Sequence, residues 1–370
     1  MRVIRVSEYV TPSPGGREVH VRELSRRQAR HGHSVRVLYR VGGDNDWPFA
    51  AARLLGNARR LCLLPDSIVS TLFLTLAVAR IARSRCSVDL VHFHGDYLEA
   101  LAAGAIRLFG IPSLLTLHGR LSSRVLRAVG FVYRFPSHIV AVSSPIVSQL
   151  EKVGVPPGRV TIQPSGVDSA AFYPSRSTPA RRPFRVVVAS TLIPLKDHGS
   201  LIDAVHRLRA EGVDVQLELA GAGPERARLE KAASPAVRFH GQLARPELAR
   251  LMQRCHVAAL ASVDTAQAGE GTPTFLMEAI ACGLPFVATD AGGVPALAAR
   301  SQAGVIVPQR RPDALAAALK WLTTDEKEYE RRRRAALAFG PSLSWDRVAK
   351  RLEALTEELV DRRKLPVRRS

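Results

Sequence analysis

Short apolar runs of strand length alternate with longer, helix-forming segments along this sequence. A first series of such runs occupies residues 2–10, 35–39, 88–93, 113–117, 138–142 and 160–163. A second series occupies residues 185–190, 215–220, 237–240, 257–260 and 284–289, with one more run from residue 304. Strands that are separated by helices pair in parallel, in sheets covered on both faces. The alternation therefore predicts an α/β protein with parallel sheets.

At 370 residues, the chain is long enough for two domains with separate cores. Residues 173–184 separate the two series of strands and carry three prolines together with Ser, Thr and Arg. This composition is typical of a linker. We therefore predict domains at residues 1–172 and 185–340, followed by a helix at 341–361 and a basic tail at 362–370.

The stretch at residues 269–293 reads GEGTPTFLMEAIACGLPFVATDAGG and combines a loop, a helix, a strand and a glycine pair. Thr272 is a suitable N-cap, and Pro273 suits the first helical position. A helix that begins there offers free N–H groups and a partial positive charge to a phosphate or diphosphate. Gly292 and Gly293 allow the backbone to approach a ligand closely. The stretch therefore predicts one wall of a nucleotide-type pocket.

This pattern resembles the signature of retaining GT-B glycosyltransferases of family four, also called glycosyl transferases group 1. The residues that carry the resemblance are Glu270, Gly271, Glu278, Ala279, Cys282, Gly283, Pro285, Ala288, Thr289, Gly292, Gly293 and Pro295. The resemblance covers nearly the whole chain and is strongest at residues 190–307. It implies two Rossmann-like domains whose parallel sheets face a cleft, with the helix at 341–361 crossing back to the first domain.

The resemblance also implies roles for individual residues. Glu270 would bind hydroxyls of the donor sugar, and Glu278 the ribose of the nucleotide, although a helical glutamate alone more often faces solvent. The predicted catalytic residues are His118, Glu270 and Lys196. The predicted donor-binding residues are Gly15, Gly16, Glu278, Gly271, Thr272, Pro273, Thr274, Phe275 and Gly223.

Two histidines, His94 and His118, each follow a predicted strand and therefore lie at the edge where parallel sheets bind ligands. A histidine there can donate a hydrogen bond to a sugar hydroxyl or phosphate, or can equally be a structural loop residue. His118, in TLHG, matches the donor-side histidine of the family, so we expect it in the site before His94. The Gly15–Gly16 turn is either the family's phosphate or acceptor loop or only a turn.

Lys196 matches the lysine that the family uses on the donor diphosphate, whereas a lone loop lysine is usually solvated. The family normally has an arginine five residues earlier, and this sequence has Thr191 there. Losing that cation weakens neutralisation of the diphosphate unless another arginine replaces it, for which Arg120 is a candidate. Ser165 also departs from the family, which has asparagine before Gly-Val-Asp. The resemblance implies that Asp168 is a hinge or cleft residue, and an Asx turn explains it nearly as well.

The sequence predicts neither a metal nor a cofactor apart from the donor itself. The segment at 44–46, Asp-Asn-Asp, resembles a metal-binding motif but follows two glycines and reads better as a polar turn. The turn around Gly223 is only half of a dinucleotide fingerprint, so NAD is not expected. Cys62, Cys86, Cys255 and Cys282 have no paired ligand spacing, which argues against zinc and against secretion.

The chain has 53 Lys and Arg against 33 Asp and Glu, a formal net charge of +20, which favours anionic partners. Residues 53–85 interleave arginines with Leu, Phe and Val, as a segment at a membrane interface would. Arginine-rich composition alone is the competing explanation. No nucleic-acid recognition module is evident. The apolar run at 68–79 is too short to span a bilayer and no signal peptide is recognised, so we expect a cytoplasmic protein that binds the inner face of the membrane peripherally.

These observations predict a retaining hexosyltransferase that moves a hexose from a nucleoside diphosphate sugar to a lipid-linked or glycan acceptor. The competing hypothesis is a catalytically silent relative that binds sugars or assembles a membrane complex. Thr191 and Ser165 favour that second hypothesis, and Glu270, Glu278, Lys196 and His118 favour the first.

Overall fold

The computed structural model describes residues 1–11, 16–43, 47, 49–55, 65–119, 121–175, 180–265 and 273–364. Its contacts divide the chain into two compact units, one of Met1–Gly166 with Trp345–Ser370 and one of Val167–Ser344. The limits expected from sequence, 172 and 341, differ from these positions. Val167 already belongs to the second unit, because its N–H donates a 2.8 Å hydrogen bond to the Leu343 carbonyl there.

The first unit contains a seven-stranded parallel sheet in the order β3-β2-β1-β4-β5-β6-β7. Its strands are β1 (Arg2–Ser7), β2 (Ser34–Tyr39), β3 (Ala50–Arg53), β4 (Leu90–His94), β5 (Ser113–Leu117), β6 (His138–Ala141) and β7 (Val160–Ile162). Its first helices are α1 (Gly16–Arg30), α2 (Asp66–Arg83), α3 (Tyr97–Leu108), α4 (Ser123–Val129) and α5 (Ser144–Lys152). Every pair of neighbouring strands is parallel.

The second unit contains a six-stranded parallel sheet in the order β10-β9-β8-β11-β12-β13. Its strands are β8 (Phe184–Ala189), β9 (Val215–Ala220), β10 (Val237–Gly241), β11 (Val257–Leu260), β12 (Phe286–Thr289) and β13 (Gly304–Val307). Its helices are α6 (His198–Ala210), α7 (Arg226–Ala232), α8 (Arg245–Met252), α9 (Thr274–Ala281), α10 (Val294–Ser301), α11 (Pro312–Thr324) and α12 (Glu326–Phe339). The last helix, α13 (Trp345–Lys364), belongs to the first unit.

Side chains that alternate along the strands of the first sheet build a separate core on each of its faces. On one face, Ile4 packs in a cluster with Phe73 of α2 and Ile106 of α3. On the other, Val3 packs with Leu24 of α1 and Leu352 of α13. Successive strand residues point to opposite faces, so α2 and α3 cover one face and α1 and α13 the other.

The second sheet is covered on both faces in the same way. Val186 and Val188 pack in a cluster with residues of α6 and α11. Val187, between them, packs in a second cluster with residues of α8, α9 and α10. Two parallel sheets with helices on both faces confirm the α/β architecture predicted from the alternating pattern.

Some predicted element limits were wrong. The first strand ends at Ser7, not at residue 10, and β12 begins at Phe286, two residues after the predicted start. Strand β3, with the sequence AAAR, was not predicted, because alanine and arginine carry no strand signal. It forms because it pairs with β2, from Arg36 with Ala50 to Tyr39 with Arg53.

Candidate active site

The loops that follow β8, β11 and β12 lie at the carboxyl edge of the second sheet and are joined by hydrogen bonds. The N–H of Val263, after β11, donates to the carbonyl of Leu195, after β8, over 2.9 Å. The N–H of Gly292, after β12, donates to the Asp264 carboxylate over 2.9 Å. Open parallel sheets bind their ligands at this edge. The hydrogen bonds therefore fix the backbone of the loops that would hold a ligand of this unit.

Lys196 ends a 3-10 turn, Pro194–Lys196, immediately before α6. Asp197 follows with a φ of 42° and caps α6, where its carboxylate accepts from the backbone of the first turn. His198 is buried beside the turn and shares a 2.9 Å hydrogen bond with Ser190 Oγ. Burial and the charge of Lys196 lower the pKa of His198 to about 4. The half-buried Lys196 is thus carried on a turn that is anchored at the start of α6.

Two further positions flank this turn. Thr191 is exposed directly after β8, at the position where the family resemblance expects an arginine. Gly223 follows β9, and a Cβ on it would lie 2.4 Å from the Leu192 carbonyl oxygen. The close approach of the two loops therefore gives a packing reason for glycine at 223, and its predicted contact with the donor stays a prediction.

Helix α9 begins at Thr274, and Pro273 occupies its N-cap position. The expectation that Pro273 is the first helical residue was therefore wrong by one position. Proline has no side chain that can cap, and the first turn of α9 has no acidic residue. The N–H groups of Thr274 and Phe275 have no partner within the helix, as at every helix start, and can be offered to an anion. The Phe275 side chain is buried in the core of the second unit.

Several predicted residues lie outside the described part of the chain. They are Gly15, Asp44, Asn45, Asp46, Arg120, Glu270, Gly271 and Thr272, together with Cys62. Gly16 is described and begins α1. No described atom lies within 4 Å of the position that a Cβ on Gly16 would take. Packing among the described residues thus does not require glycine at 16.

Glu278 lies in α9 and is buried, with 9% of its surface exposed. Burial raises the pKa of its carboxyl from 4.5 to about 7, a nearby Arg245 lowers it, and Asp168 raises it. Arg245 Nη2 lies 3.2 Å from Glu278 Oε1. Asp168 itself accepts a 3.1 Å hydrogen bond from the N–H of Ala170, which is an Asx turn. Burial therefore favours the protonated form of Glu278, and Arg245 favours its ionised form.

Arg245 was not predicted from the sequence. It begins α8, 33 residues before Glu278 in the chain, in no motif that the sequence analysis recognised. Its guanidinium carbon lies 5.1 Å from the centre of the Phe172 ring, a cation–π contact. The side chain of Arg245 remains 40% exposed, whereas that of Glu278 is 11% exposed.

In the first unit, the ends of β4 and β5 bring His94 and His118 together. His94 Nδ1 and His118 Nε2 lie 3.0 Å apart and share a hydrogen bond, in which one ring donates and the other accepts. The rings are stacked, with centroids 5.3 Å apart. His118 is half-buried, while His94 is fully buried. His118, which the resemblance favours as a site residue, is therefore held in place by a hydrogen bond with His94.

Two more histidines complete a cluster that the sequence did not predict. His20 of α1 meets His118 edge to face, with centroids 5.0 Å apart. The His92 ring lies 4.2 Å from that of His94. The alternation of His92 and His94 along β4 places both on one face of the sheet, and this was a usable signal. Nothing in the local sequence distinguished His20.

Burial and the nearby Arg5 determine the charge state of most of this cluster. The Arg5 guanidinium donates hydrogen bonds to Ser25 Oγ and Gln28 Oε1 and lies 3.5 Å from His92 Nδ1. Burial first, and the positive charge of Arg5 second, lower the pKa of His20 to about 3 and that of His92 well below 6.5. The pKa values of His94 and His118 are also lowered by burial. All four rings are therefore neutral hydrogen-bonding groups at physiological pH.

No group of three or more His, Cys, Asp or Glu within the described ranges is arranged to hold a metal ion. In that part of the chain, no helix has both the length and the hydropathy needed to cross a bilayer.

Comparison with known proteins gives family matches in both halves of the chain. The family described as Glycosyltransferase Family 4 matches residues 14–171. The family described as Glycosyl transferases group 1 matches residues 183–325. The two matches together span most of both units.

Related sequences cover the chain almost completely. The MMP alpha-(1->4)-mannosyltransferase of Mycolicibacterium hassiacum is 28% identical, over 98% of this chain and 99% of its own. The phosphatidylinositol N-acetylglucosaminyltransferase gpi3 subunit of Schizosaccharomyces pombe is 26% identical, over 88% of this chain and 73% of its own.

Solved structures agree with the fold. HepE of Anabaena, solved in complex with UDP, matches with a TM-score of 0.78 and 19% identity over 97% of this chain and 100% of its own. Sucrose-phosphate synthase of Thermosynechococcus elongatus matches with a TM-score of 0.76 and 21% identity over 98% and 99%. The predicted GT-B fold is thereby confirmed, and the chain belongs to family four of the GT-B glycosyltransferases, the glycosyl transferases group 1.

Proposed function

We propose that this glycosyltransferase moves a hexose from a nucleoside diphosphate sugar to a lipid-linked or glycan acceptor, with retention of the anomeric configuration. The observation that carries the proposal is the buried Glu278 of α9, held beside one arginine. Structures of the similar HepE contain UDP and UDP-glucose, which supports a nucleotide-sugar donor for this chain.

Glu278 is proposed to bind the ribose of the donor. A carboxylate accepts hydrogen bonds from two neighbouring hydroxyls, and such bonds favour its ionised form. Burial alone would keep the carboxyl protonated, and the positive charge of Arg245 opposes this. Binding of a ribose therefore completes the set of interactions that ionises Glu278.

The diphosphate is proposed to lie at the start of α9 and beside Lys196. The N–H groups of Thr274 and Phe275, which have no partner within α9, and the ammonium of Lys196 would stabilise the negative charge that grows as the nucleoside diphosphate departs. Glu270 would bind hydroxyls of the sugar. The bond from the anomeric carbon to the phosphate oxygen breaks as the acceptor oxygen forms a bond on the same face, and the acceptor proton passes to the departing phosphate.

His118 is proposed to donate or accept a hydrogen bond with the donor sugar or phosphate through Nδ1. Its Nε2 already shares a hydrogen bond with His94, so the ring is held in one orientation. The neutral state of the ring suits hydrogen bonding better than proton transfer. We propose that neither a metal nor a further cofactor takes part, in line with the sequence.

A catalytically silent sugar-binding or assembly protein is the second candidate, and Thr191 favours it. An exposed threonine at the end of β8 supplies no charge to a diphosphate. Ser165, the other departure from the family, shares a 2.9 Å hydrogen bond with His20 Nδ1 and so has a structural partner of its own. Ser165 therefore gives little support to loss of activity.

The test is release of nucleoside diphosphate from UDP-linked and GDP-linked hexoses, with and without added acceptor, by the wild type and Glu278→Ala. We expect turnover of one donor class by the wild type and a loss of about a hundredfold in Glu278→Ala, since hydrogen bonds to a charged group each contribute about 1.5–3 kcal/mol. Glu357→Ala, which removes an exposed carboxylate on α13, should match the wild type. Donor binding without turnover would favour the silent protein, and no binding of any donor would contradict both candidates.

A lipid-linked acceptor would be met at the inner face of the membrane. We propose that the enzyme works there as a peripheral protein, drawn by its net charge of +20 to anionic lipid.

A further inference from the structure

Helix α2 exposes an apolar face to solvent. Ile68 is 51% exposed, and Leu72 and Leu76 follow at intervals of four residues with 40% and 41%. The adjoining face, with Phe73 and Ile81, is buried in the core of the first unit. Residues 67–79 contain no charged side chain at all. A surface helix of a globular protein ordinarily places charged residues on its outer face, so α2 is built for contact with something apolar.

A groove runs between α2 and α3 beside this face. It has a volume of about 330 Å³ and is lined by Thr71, Leu74, Thr75, Val78, Leu98, Leu101, Ala102 and Ala105. A second groove of about 540 Å³ lies beside it and is lined by Leu101, Gly104, Ala105, Arg107, Leu108 and Phe135. Since Leu101 and Ala105 line both, the two grooves form one continuous apolar surface.

The surface continues over the end of α3 and the following 3-10 turn. Leu108 is 87% exposed and Phe131 is 55% exposed. Phe135 packs onto Gly104, where a Cβ would lie 2.9 Å from the Phe135 Cβ. Eight of the eleven large exposed apolar side chains of the described residues lie between residues 68 and 135. We name the face formed by α2, α3 and residues 130–135 the α2–α3 surface.

Arginines border this surface. Arg80 and Arg83 follow Leu76 by four and seven residues, which continues the exposed stripe of α2. Neither has an acidic partner within the described residues. Arg107 lines the second groove and donates a 2.8 Å hydrogen bond to the Phe135 carbonyl.

The acids of the same stretch do not compensate these charges. Asp89 is paired with Arg2, Asp96 accepts from the Tyr133 hydroxyl, and Glu99 is buried. Asp66, at the start of α2, is the one left exposed among the acids of residues 66–135. The α2–α3 surface is therefore apolar at its centre and basic at one end and along its second groove.

We propose that the α2–α3 surface docks onto an anionic phospholipid bilayer. Its leucines and phenylalanines enter the boundary between headgroups and acyl chains, and its arginines contact lipid phosphates, as at an interfacial helix. A second copy of the chain fits less well, since a symmetric contact would bring two sets of unpaired arginines together. The proposal assigns the membrane association proposed above to one surface and does not depend on sugar transfer.

The experiment is sedimentation of the full chain with vesicles of phosphatidylcholine, with and without phosphatidylglycerol. Replacing both leucines, Leu72→Gln with Leu76→Gln, should weaken binding about tenfold for each leucine. Ile162→Gln removes a side chain of similar exposure, 45%, from β7 and should bind as the wild type does. Unchanged binding by the leucine variant would overturn the proposal.

The charge is tested by Arg80→Gln with Arg83→Gln, which should weaken binding to anionic vesicles about fivefold per arginine and reduce its salt dependence. The control, Arg26→Gln with Arg30→Gln, removes the same charge from exposed positions of α1, on the opposite face of the sheet. Equal weakening by both pairs would show that binding follows net charge alone and would overturn the assignment.

Thermal unfolding, nucleotide affinity and oligomeric state distinguish loss of membrane binding from other effects of the substitutions. Every variant should retain the thermal unfolding temperature and the nucleotide affinity of the wild type, because the replaced side chains are exposed. A wild type that is dimeric, with a leucine variant that turns monomeric but binds vesicles unchanged, would assign the surface to a second copy and overturn the proposal. Loss of nucleotide binding with intact vesicle binding would contradict the proposed transfer reaction only.

Discussion

The histidine cluster of the first unit and the surroundings of Glu278 in the second unit both bury titratable groups beside an arginine. The effect of that arginine on the pKa values differs between the two regions. Around His20, His92 and His94, burial and the positive charge of Arg5 act together to favour neutral rings, and burial also favours the neutral ring of His118. At Glu278, burial favours the neutral acid while Arg245 favours the carboxylate, which leaves the pKa at about 7. The first region is thus fixed in one charge state, whereas the second can change its charge when a ligand binds.

The two regions therefore differ in the charge that they can offer to a reaction. A departing nucleoside diphosphate needs cations and N–H groups, and in the proposed reaction Lys196 and the start of α9 would supply these from the second unit. The histidine cluster of the first unit holds hydrogen-bonding groups of one charge state and orientation. The division between the two units is thus one between groups that can change their charge and groups that cannot.

The largest effect is expected from Lys196→Ala. Loss of the ammonium should lower turnover of the donor by about a hundredfold or more, as removal of one transition-state donor does. The unfolding temperature should change little, because the side chain is half-exposed on an anchored turn. Steady-state kinetics with thermal unfolding checks this, and Lys231→Ala, on α7, is the control. If Lys196→Ala lowered the unfolding temperature but left the turnover of the folded protein unchanged, Lys196 would be a structural residue.

Turnover is expected to fall less in His118→Gln than in His118→Ala. If His118 works as a neutral hydrogen-bonding group, the amide of glutamine should retain more activity than alanine, by about tenfold for one retained hydrogen bond. The pH–rate profile of the wild type should show no step near 6.5 that disappears in His118→Gln. A step of that kind would mean that the ring transfers a proton, and the division between the two units would fail.

Stability should depend on pH with opposite sign in the two regions. The pKa of His20 is lowered from 6.5 to about 3, so the unfolded chain binds more protons and the stability contributed by this burial is lost as pH falls below 6.5. The pKa of Glu278 is raised from 4.5 to about 7, so stability falls as pH rises between these values, by roughly 3 kcal/mol at most.

Denaturant unfolding between pH 4 and 8, as an approximate range, tests both signs. Glu278→Gln should remove the loss of stability that accompanies a rise in pH from 4.5 to about 7. His20→Asn should reduce the loss of stability as pH falls below 6.5. Identical pH curves for Glu278→Gln and the wild type would contradict the raised pKa.

Thr191→Arg should restore the cation that the family normally has and raise turnover by up to about tenfold, as one charge-assisted hydrogen bond to phosphate allows. Thr191→Gln has a side chain of comparable length without charge and is the matched control. A rise in both variants would show that length and not charge limits the reaction. No rise in either would indicate that another group already neutralises the diphosphate.

The smallest effect, none, is expected from a metal chelator. Turnover in excess EDTA should equal turnover without it, because the proposed reaction neutralises the diphosphate with protein groups. Loss of turnover that Mg²⁺ or Mn²⁺ restores would show that the cation missing at Thr191 is supplied by a metal.

Much of the fold could be predicted from the sequence, because apolar runs of strand length and the helices between them are local signals. The positions of Lys196, His118 and Glu278 also followed from local motifs. Arg245 and His20 did not, because each acts through a partner far away in the chain that only the folded sheet brings near. Strand β3 was missed for the same reason, since its alanines become a strand only through pairing with β2.

The α2–α3 surface shows a further limit of sequence patterns. The interleaved arginines of residues 53–85 indicated an interface, but the sequence could not show which apolar residues of α2 face the core and which face solvent. It also could not show that Leu101 and Phe135 extend the same surface. Burial in the folded unit separates Phe73 from Leu72 and so defines the exposed stripe.

Titration calorimetry of UDP and GDP against the wild type and Glu278→Gln, in buffers of different ionisation enthalpy near pH 7, tests the role of Glu278 most directly. We expect one nucleoside diphosphate to bind the wild type with release of a proton from Glu278, and its affinity to rise as pH increases through about 7. Glu278→Gln should bind more weakly and release no proton. Equal affinity in both proteins, with no proton released by either, would contradict the assignment of Glu278 to the nucleotide.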